Sequence, residues 1–181
     1  MQDSERENSL PTDRALPAIR SQTDGPEVDS TPKSSEAHSV TLAEKQQHLV
    51  DDLAIIPDPQ ERLAAVVDRA RRLAPLPEGE RTEANRVRGC VSQVWIVGDL
   101  RSGRLHFRCD ADGPLVKGLV HLLATFFSDA TPAEIAASDA DPLAALDLTR
   151  NLSPTRRNGL AAARARIREL AQAAVPGGGS L

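Results

Sequence analysis

Tyrosine is missing from the 181 residues, and only four side chains are aromatic: Trp95, Phe107, Phe126 and Phe127. Cations are not in excess either, 22 Lys and Arg standing against 26 Asp and Glu for a formal charge of −4. A chain with so few stacking surfaces and no basic surplus is not built to follow nucleic-acid strands. Cysteine is scarce as well. Cys90 and Cys109 alone exclude a disulfide-rich scaffold and a four-cysteine zinc site. No apolar run approaches the roughly 20 residues that a membrane-spanning helix needs. The opening segment, Met1-Gln2-Asp3-Ser4-Glu5-Arg6-Glu7-Asn8, lacks the basic and apolar regions of a signal peptide. These absences predict a cytoplasmic protein with reduced thiols and neither a membrane nor a nucleic-acid partner. Phosphate-binding glycine loops are missing too, since Gly177-Gly178-Gly179 has no strand before it and no helix after it.

What is present is unevenly distributed. Residues 1–40 hold four prolines, eight acidic and four basic residues, and so carry the whole net charge, whereas residues 41–181 carry 18 charges of each sign. So little apolar surface in the first 40 residues cannot offset the entropy of ordering them, which predicts a disordered acidic tail. The closing segment 176–181, rich in glycine, reads as a flexible end. A single domain over 41–175 remains.

Within that domain the hydrophobic period changes twice. Thr41 with Glu44 forms a capping box before a short helix with Leu42, Leu49 and Leu53 on one side. Asp58-Pro59 starts a second helix, with Leu63, Val66, Val67, Ala70 and Leu73 on one face, stopped by Pro75 and Pro77. Pro77 to Arg88 reads as a surface loop or irregular edge strand. Val91–Val97 is rich in β-branched residues and Arg104–Cys109 alternates apolar with polar, so the two predict a hairpin turning through Gly98 to Gly103. Helical spacing returns after Asp112-Gly113-Pro114, where Asp112 is the expected cap and Leu115, Leu119, Leu122, Leu123 and Phe126 the buried face. Thr131-Pro132 with Glu134 opens another short helix. Ser153-Pro154 opens a long one, with Leu160, Ala163, Ile167, Leu170 and Ala174 along one side. The pattern is that of an α+β fold, a small antiparallel β-sheet packed by helices.

Cys90 is the candidate with a distinctive address. Gly89 before it gives the backbone freedom to present the side chain, and Arg86 and Arg88 nearby would favour the nucleophilic thiolate. From spacing alone a reactive thiol and a buried, inert one are equally good readings, because free cysteine is among the most buried residue types. Cys109 reads as a packed strand residue. A Cys–His hydrolase would need His106 or His121 as base, and neither lies in a local signature. A zinc site from Cys90, Cys109, His106 and a carboxylate lacks the usual ligand spacings, so no metal is expected.

The segment Arg88-Gly89-Cys90-Val91-Ser92-Gln93-Val94-Trp95 resembles the G-C-x-S-x-V-W signature of the SufE family of cysteine desulfuration proteins. Asp110-Ala111-Asp112 followed by Val116-Lys117-Gly118-Leu119 resembles the family's S-D-A-x-I-V-K-G-L segment, with Gly113-Pro114 in place of the usual small pair. Leu152-Ser153-Pro154-Thr155-Arg156 with Gly159-Leu160 resembles its L-(S/T)-P-S-R-x-x-G-L segment. The helix from Asp58 to Leu73 and Pro75 resembles its leading helix. The likeness spans about residues 45 to 172.

The resemblance implies a fold of the SufE and IscU kind and a sulfur-transfer role. Cys90 would accept persulfide sulfur from a SufS-like, pyridoxal-phosphate-dependent cysteine desulfurase, activate that enzyme, and pass the sulfur to an iron–sulfur scaffold. The chain would then be a carrier more than a stand-alone enzyme, without a cofactor of its own, the pyridoxal phosphate residing on the partner, and a monomer or weak homodimer. Arg156 corresponds to the family arginine near the cysteine loop, available for thiolate stabilisation or partner docking. Gly89, Ser92 and Gln93 would shape the loop, Trp95 would pack, and Lys117 would be solvated. The alternative is a redox-sensing binding module that uses a Cys90–Cys109 disulfide; a thiol hydrolase is a third.

Overall fold

The computed structural model describes Arg20–Ser21 and residues 40–175. Thr41 caps α1 (Leu42–Ala54) through the reciprocal bonds of a capping box with Glu44. Asp58 caps α2 (Pro59–Arg71), its carboxylate accepting the amides of Gln60 and Glu61. After a single 3-10 turn at Glu78–Glu80, Asn85–Val87 runs beside the second strand. The Val87 amide donates to the Val94 carbonyl at 2.8 Å and the Ile96 amide to the Asn85 carbonyl at 2.9 Å. The charged stretch before Cys90 is thus partly an edge strand.

The sheet has the order β1-β2-β3. In it, β2 (Val94–Arg101) and β3 (Arg104–Ala111) form an antiparallel hairpin from Val94↔Ala111 to Arg101↔Arg104. The expected turn at Gly98–Gly103 is shorter than the sequence suggested. Only Ser102 and Gly103 turn, with φ of 49° and 75°, the pair of positive angles that matches strand twist. Gly98 instead lies inside β2, where a Cβ would sit 3.3 Å from the Phe107 ring, so the missing side chain makes room for an aromatic neighbour. The strand also starts at Val94 rather than Val91, because Cys90–Gln93 forms a separate loop.

The two-residue strand β1 (Arg20–Ser21) pairs in parallel with Asp99 and Leu100 of β2. It lies within the segment expected to be disordered. The remainder of that segment, and the end at 176–181, fall outside the described residues.

Four helices complete the domain: α3 (Pro114–Phe127), α4 (Pro132–Ala137), α5 (Pro142–Ala145) and α6 (Pro154–Ala174). Helix α3 lies on β3 and carries α2 on its other side, while α6 packs on β2, α3 and α4. The approach of α2 is close because Gly118 has no Cβ; one would stand 3.0 Å from the Val67 Cα. Ile96, Leu105, Leu119, Leu123, Ile167 and Leu170 form the centre of the core. This is an α+β fold, as the alternation of periods predicted. Among the described residues no helix is long and apolar enough to cross a membrane.

Candidate functional site

The cysteine loop is held between α6 and the start of α3. Gly89 has φ of +82°, a left-handed conformation that favours glycine, and it turns the chain so that its Cα side rests near Ala162 of α6. Cys90 follows and lays its sulfur over Gly159, where a Cβ would fall 2.5 Å from Sγ. At its far end the loop is tied to the start of α3, for the Asp112 amide donates to the Gln93 carbonyl at 3.1 Å and the Ser92 hydroxyl lies beside Gly113. The thiol is therefore half-buried against a helix, not simply presented to solvent as the preceding glycine suggested.

Its electrostatics also differ from expectation. Burial pushes the Cys90 thiol up, the Asp112 carboxylate pushes it further, and the Ser92 backbone N–H opposes both. No guanidinium contributes; Arg86 is engaged with Glu83 at 2.9 Å. At rest the thiol thus holds its proton. Asp112 does not cap α3. That position belongs to Gly113, which has no side chain to accept an amide of the first turn. Asp112 faces the cysteine instead, a relation that requires the loop and the β3–α3 junction to meet in space. Replacing it, Asp112→Asn, should shift the pH profile of Cys90 alkylation by iodoacetamide toward lower pH; an unmoved profile would exclude the coupling.

Gly159 gives a second expected outcome. In Gly159→Ala the new methyl collides with Sγ, and the sulfur must rotate away from the helix. Overpacking costs about 1–3 kcal/mol, against a helix-propensity gain of about 1 kcal/mol. The net should be a loss of at most about 2 kcal/mol in denaturant unfolding, accompanied by faster alkylation of a thiol that has lost its burial. Unchanged alkylation would show that the contact does not restrain the cysteine.

Arg156 lies in the first turn of α6, one turn before Gly159, with its amide donating to the Ser153 hydroxyl at 3.4 Å. Its side chain is exposed and has no ion pair among the described residues. Gly89, Cys90, Ser92 and Gln93 are thus gathered between α6 and the start of α3, with Arg156 on the same helix. Trp95 is partly buried under the Arg81 guanidinium, whose carbon stands 5.7 Å from the ring centroid.

The other candidates lie elsewhere. His106 pairs with Asp129 at 3.1 Å. His121 contacts the Thr125 hydroxyl at 3.3 Å and is held low by burial, then by Arg69 and Lys117. Neither hydrogen-bonds Cys90, so neither forms a Cys–His pair with it. Cys109, opposite Ile96 in the hairpin, is pushed up to about 12 by burial and by Asp110, with Lys117 opposing. Among the described residues no group of three or more His, Cys, Asp or Glu is placed to hold a metal ion.

The environment of Asp110 was not foreseen from the sequence. Asp110, 2% exposed, accepts the Leu76 amide, the Ala111 amide and the Arg81 guanidinium, and pairs with Lys117 at 3.1 Å. Lys117 is therefore not solvated; its side chain is only 17% exposed. Burial alone would raise the Asp110 carboxyl. The Lys117 and Ala111 hydrogen bonds, with the charges of Lys117 and Arg81, outweigh it and hold the group below the ordinary carboxylate range. Its one signal was its place in the Asp110-Ala111-Asp112 segment that resembles the family motif.

The chain has relatives of known family and a solved structure of similar fold. Residues 47–171 match the family model described as SufE, Fe-S metabolism associated domain. An uncharacterized SufE-like protein of Rhizobium etli is 37% identical over 129 residues, covering 68% of this chain and 87% of that protein. Another from Synechocystis sp. is 36% identical over 121 residues, covering 67% and 76%. A third, from Rhizobium meliloti, is 35% identical over 133 residues, covering 71% and 95%. In fold, the chain is similar to the solution structure of a hypothetical protein from Thermus thermophilus, with a TM-score of 0.59 and 21% identity over 72% of this chain and 96% of that one.

Proposed function

This chain belongs to the SufE family and has its role in Fe–S metabolism, and on that premise we propose that Cys90 accepts sulfane sulfur from a cysteine desulfurase and carries it toward iron–sulfur assembly. The supporting observation is the position of the thiol, held on Gly159 at the face where Arg156 is exposed. In the transfer, Cys90 loses its proton, and its thiolate attacks the terminal sulfur of the donor persulfide. A new S–S bond forms on Cys90 as the donor S–S bond breaks, and the departing donor thiolate takes up a proton. One persulfide is consumed and one formed, with no net redox change. Clearing the donor persulfide frees the desulfurase for another turnover, which is how the carrier activates it. The pyridoxal phosphate belongs to that enzyme.

The raised thiol gives this reading a consequence. A carrier whose cysteine is protonated and half-covered at rest reacts slowly with stray electrophiles, and docking must both uncover it and favour its thiolate. A Cys90–Cys109 redox sensor is less well supported, since a thiol pushed up to about 12 has a negligible thiolate fraction near neutrality. The deciding experiment incubates the protein with a pyridoxal-phosphate desulfurase and free cysteine, then measures intact mass. Gain of one sulfur atom on Cys90 is the expected result. Loss of two hydrogens on mild oxidation, with no sulfur gained, would favour the sensor.

A further inference from the structure

Beside the cysteine, the Glu83–Arg88 segment and α6 enclose a cleft of about 370 Å³, with Ala162, the residue under Gly89, in its wall. Its charged lining is Arg86, Arg88 and Arg166 against Glu83 and Glu169. These groups satisfy one another only in part. Glu83 takes Arg86. Arg166 donates one Nη to the Ala84 carbonyl at 2.8 Å and reaches Glu169 only at 3.4 Å, and its Nε is buried with no partner. Arg88 is exposed and has no ion pair among the described residues. Across the cysteine, Arg156 is in the same condition. Residues 41–181 carry equal numbers of the two charges, yet of the four guanidinium groups on the face holding Cys90 only Arg86 and Arg166 have a carboxylate partner among the described residues.

We infer, resting on the sulfur-acceptor reading above, that this cleft and the flanking Arg88 and Arg156 receive an acidic surface of the desulfurase, a partner Asp or Glu entering the cleft to pair with Arg88 and Arg166. A carboxylate matches the planar donors of a guanidinium better than the long contact to Glu169 does. Because the cleft shares its wall with Gly89, an occupant there also touches the loop that carries the thiol. Opposite charge on two approaching faces raises the encounter rate and fixes their register, and the gain fades as salt screens it.

The test uses a desulfurase that loads wild-type Cys90 in the mass measurement, and follows its association with the full-length protein by stopped flow between low and physiological salt. Arg88→Glu should slow low-salt association about tenfold and flatten its salt dependence. Arg166→Gln, with thermal unfolding measured alongside, should weaken equilibrium binding several-fold. Arg71→Glu, an exposed reversal on α2, should leave association unchanged and so controls for net charge. An Arg88→Glu protein that associates at the wild-type rate while still loading would overturn the acidic-surface inference alone. Equal slowing by Arg71→Glu would overturn it in favour of a general charge effect. Absence of loading in the wild type with every desulfurase tried would instead remove the acceptor reading, and this inference with it.

Discussion

Cys90→Ser should abolish sulfur uptake and desulfurase activation completely, while the midpoint of denaturant unfolding stays close to wild type. The hydroxyl is close in size to the thiol it replaces and sits at a half-exposed position, so the contact with Gly159 survives. The chemistry does not survive, because a serine hydroxyl without a strong base is a negligible nucleophile near neutral pH, and His106 and His121 are both engaged elsewhere. Cys109→Ser should show the opposite pattern. Uptake persists, and burying a hydroxyl in place of a thiol costs about 1–2 kcal/mol. Intact mass after incubation with desulfurase and cysteine, paired with urea unfolding, separates the two. A Cys90→Ser protein that still activates its partner would sink the assignment, and equal inactivity of both variants would indicate a relay between the thiols.

The largest effect on stability is expected at Asp110. Asp110→Asn keeps the shape but removes the charge that Lys117 and Arg81 are arranged around. Lys117 is mostly buried, so losing its counter-ion leaves an uncompensated cation inside the fold, which costs about 3 kcal/mol and should lower Tm by roughly 10 °C. The pH dependence has a definite sign. The folded-state carboxyl lies below its ordinary range, so its contribution is complete above the pKa of the unfolded chain and is lost as pH falls through the folded pKa. The gap between wild type and Asp110→Asn should therefore be widest near neutrality and shrink in acid. A gap independent of pH would mean that the ion pairs are not the source of the stability.

These two residues stand on different footings in the sequence. Cys90 was recognisable because its neighbours are a local string, Gly89 to Trp95, and local strings survive without knowledge of the fold. The helices were legible for a similar reason. Capping residues such as Thr41, Asp58, Thr131 and Ser153 act on amides only two or three positions away, and a 3.6-residue period is visible along one segment. The α+β class followed from where that period gave way to alternation. The tertiary structure decided the relations between segments. Asp112 looked like a cap in its own segment, but packing turned it toward a thiol more than twenty residues away in sequence. Lys117 looked solvated until Asp110 was found buried beneath it. The guanidinium groups beside Cys90 in sequence proved to lie in a cleft against α6, where burial and Asp112 set the thiol's pKa and they do not. Gly159 carried no local sign that a sulfur would rest on it. Each of these depends on distance through space, and both Coulomb interaction and desolvation are functions of that distance and of nearby solvent, not of separation along the chain.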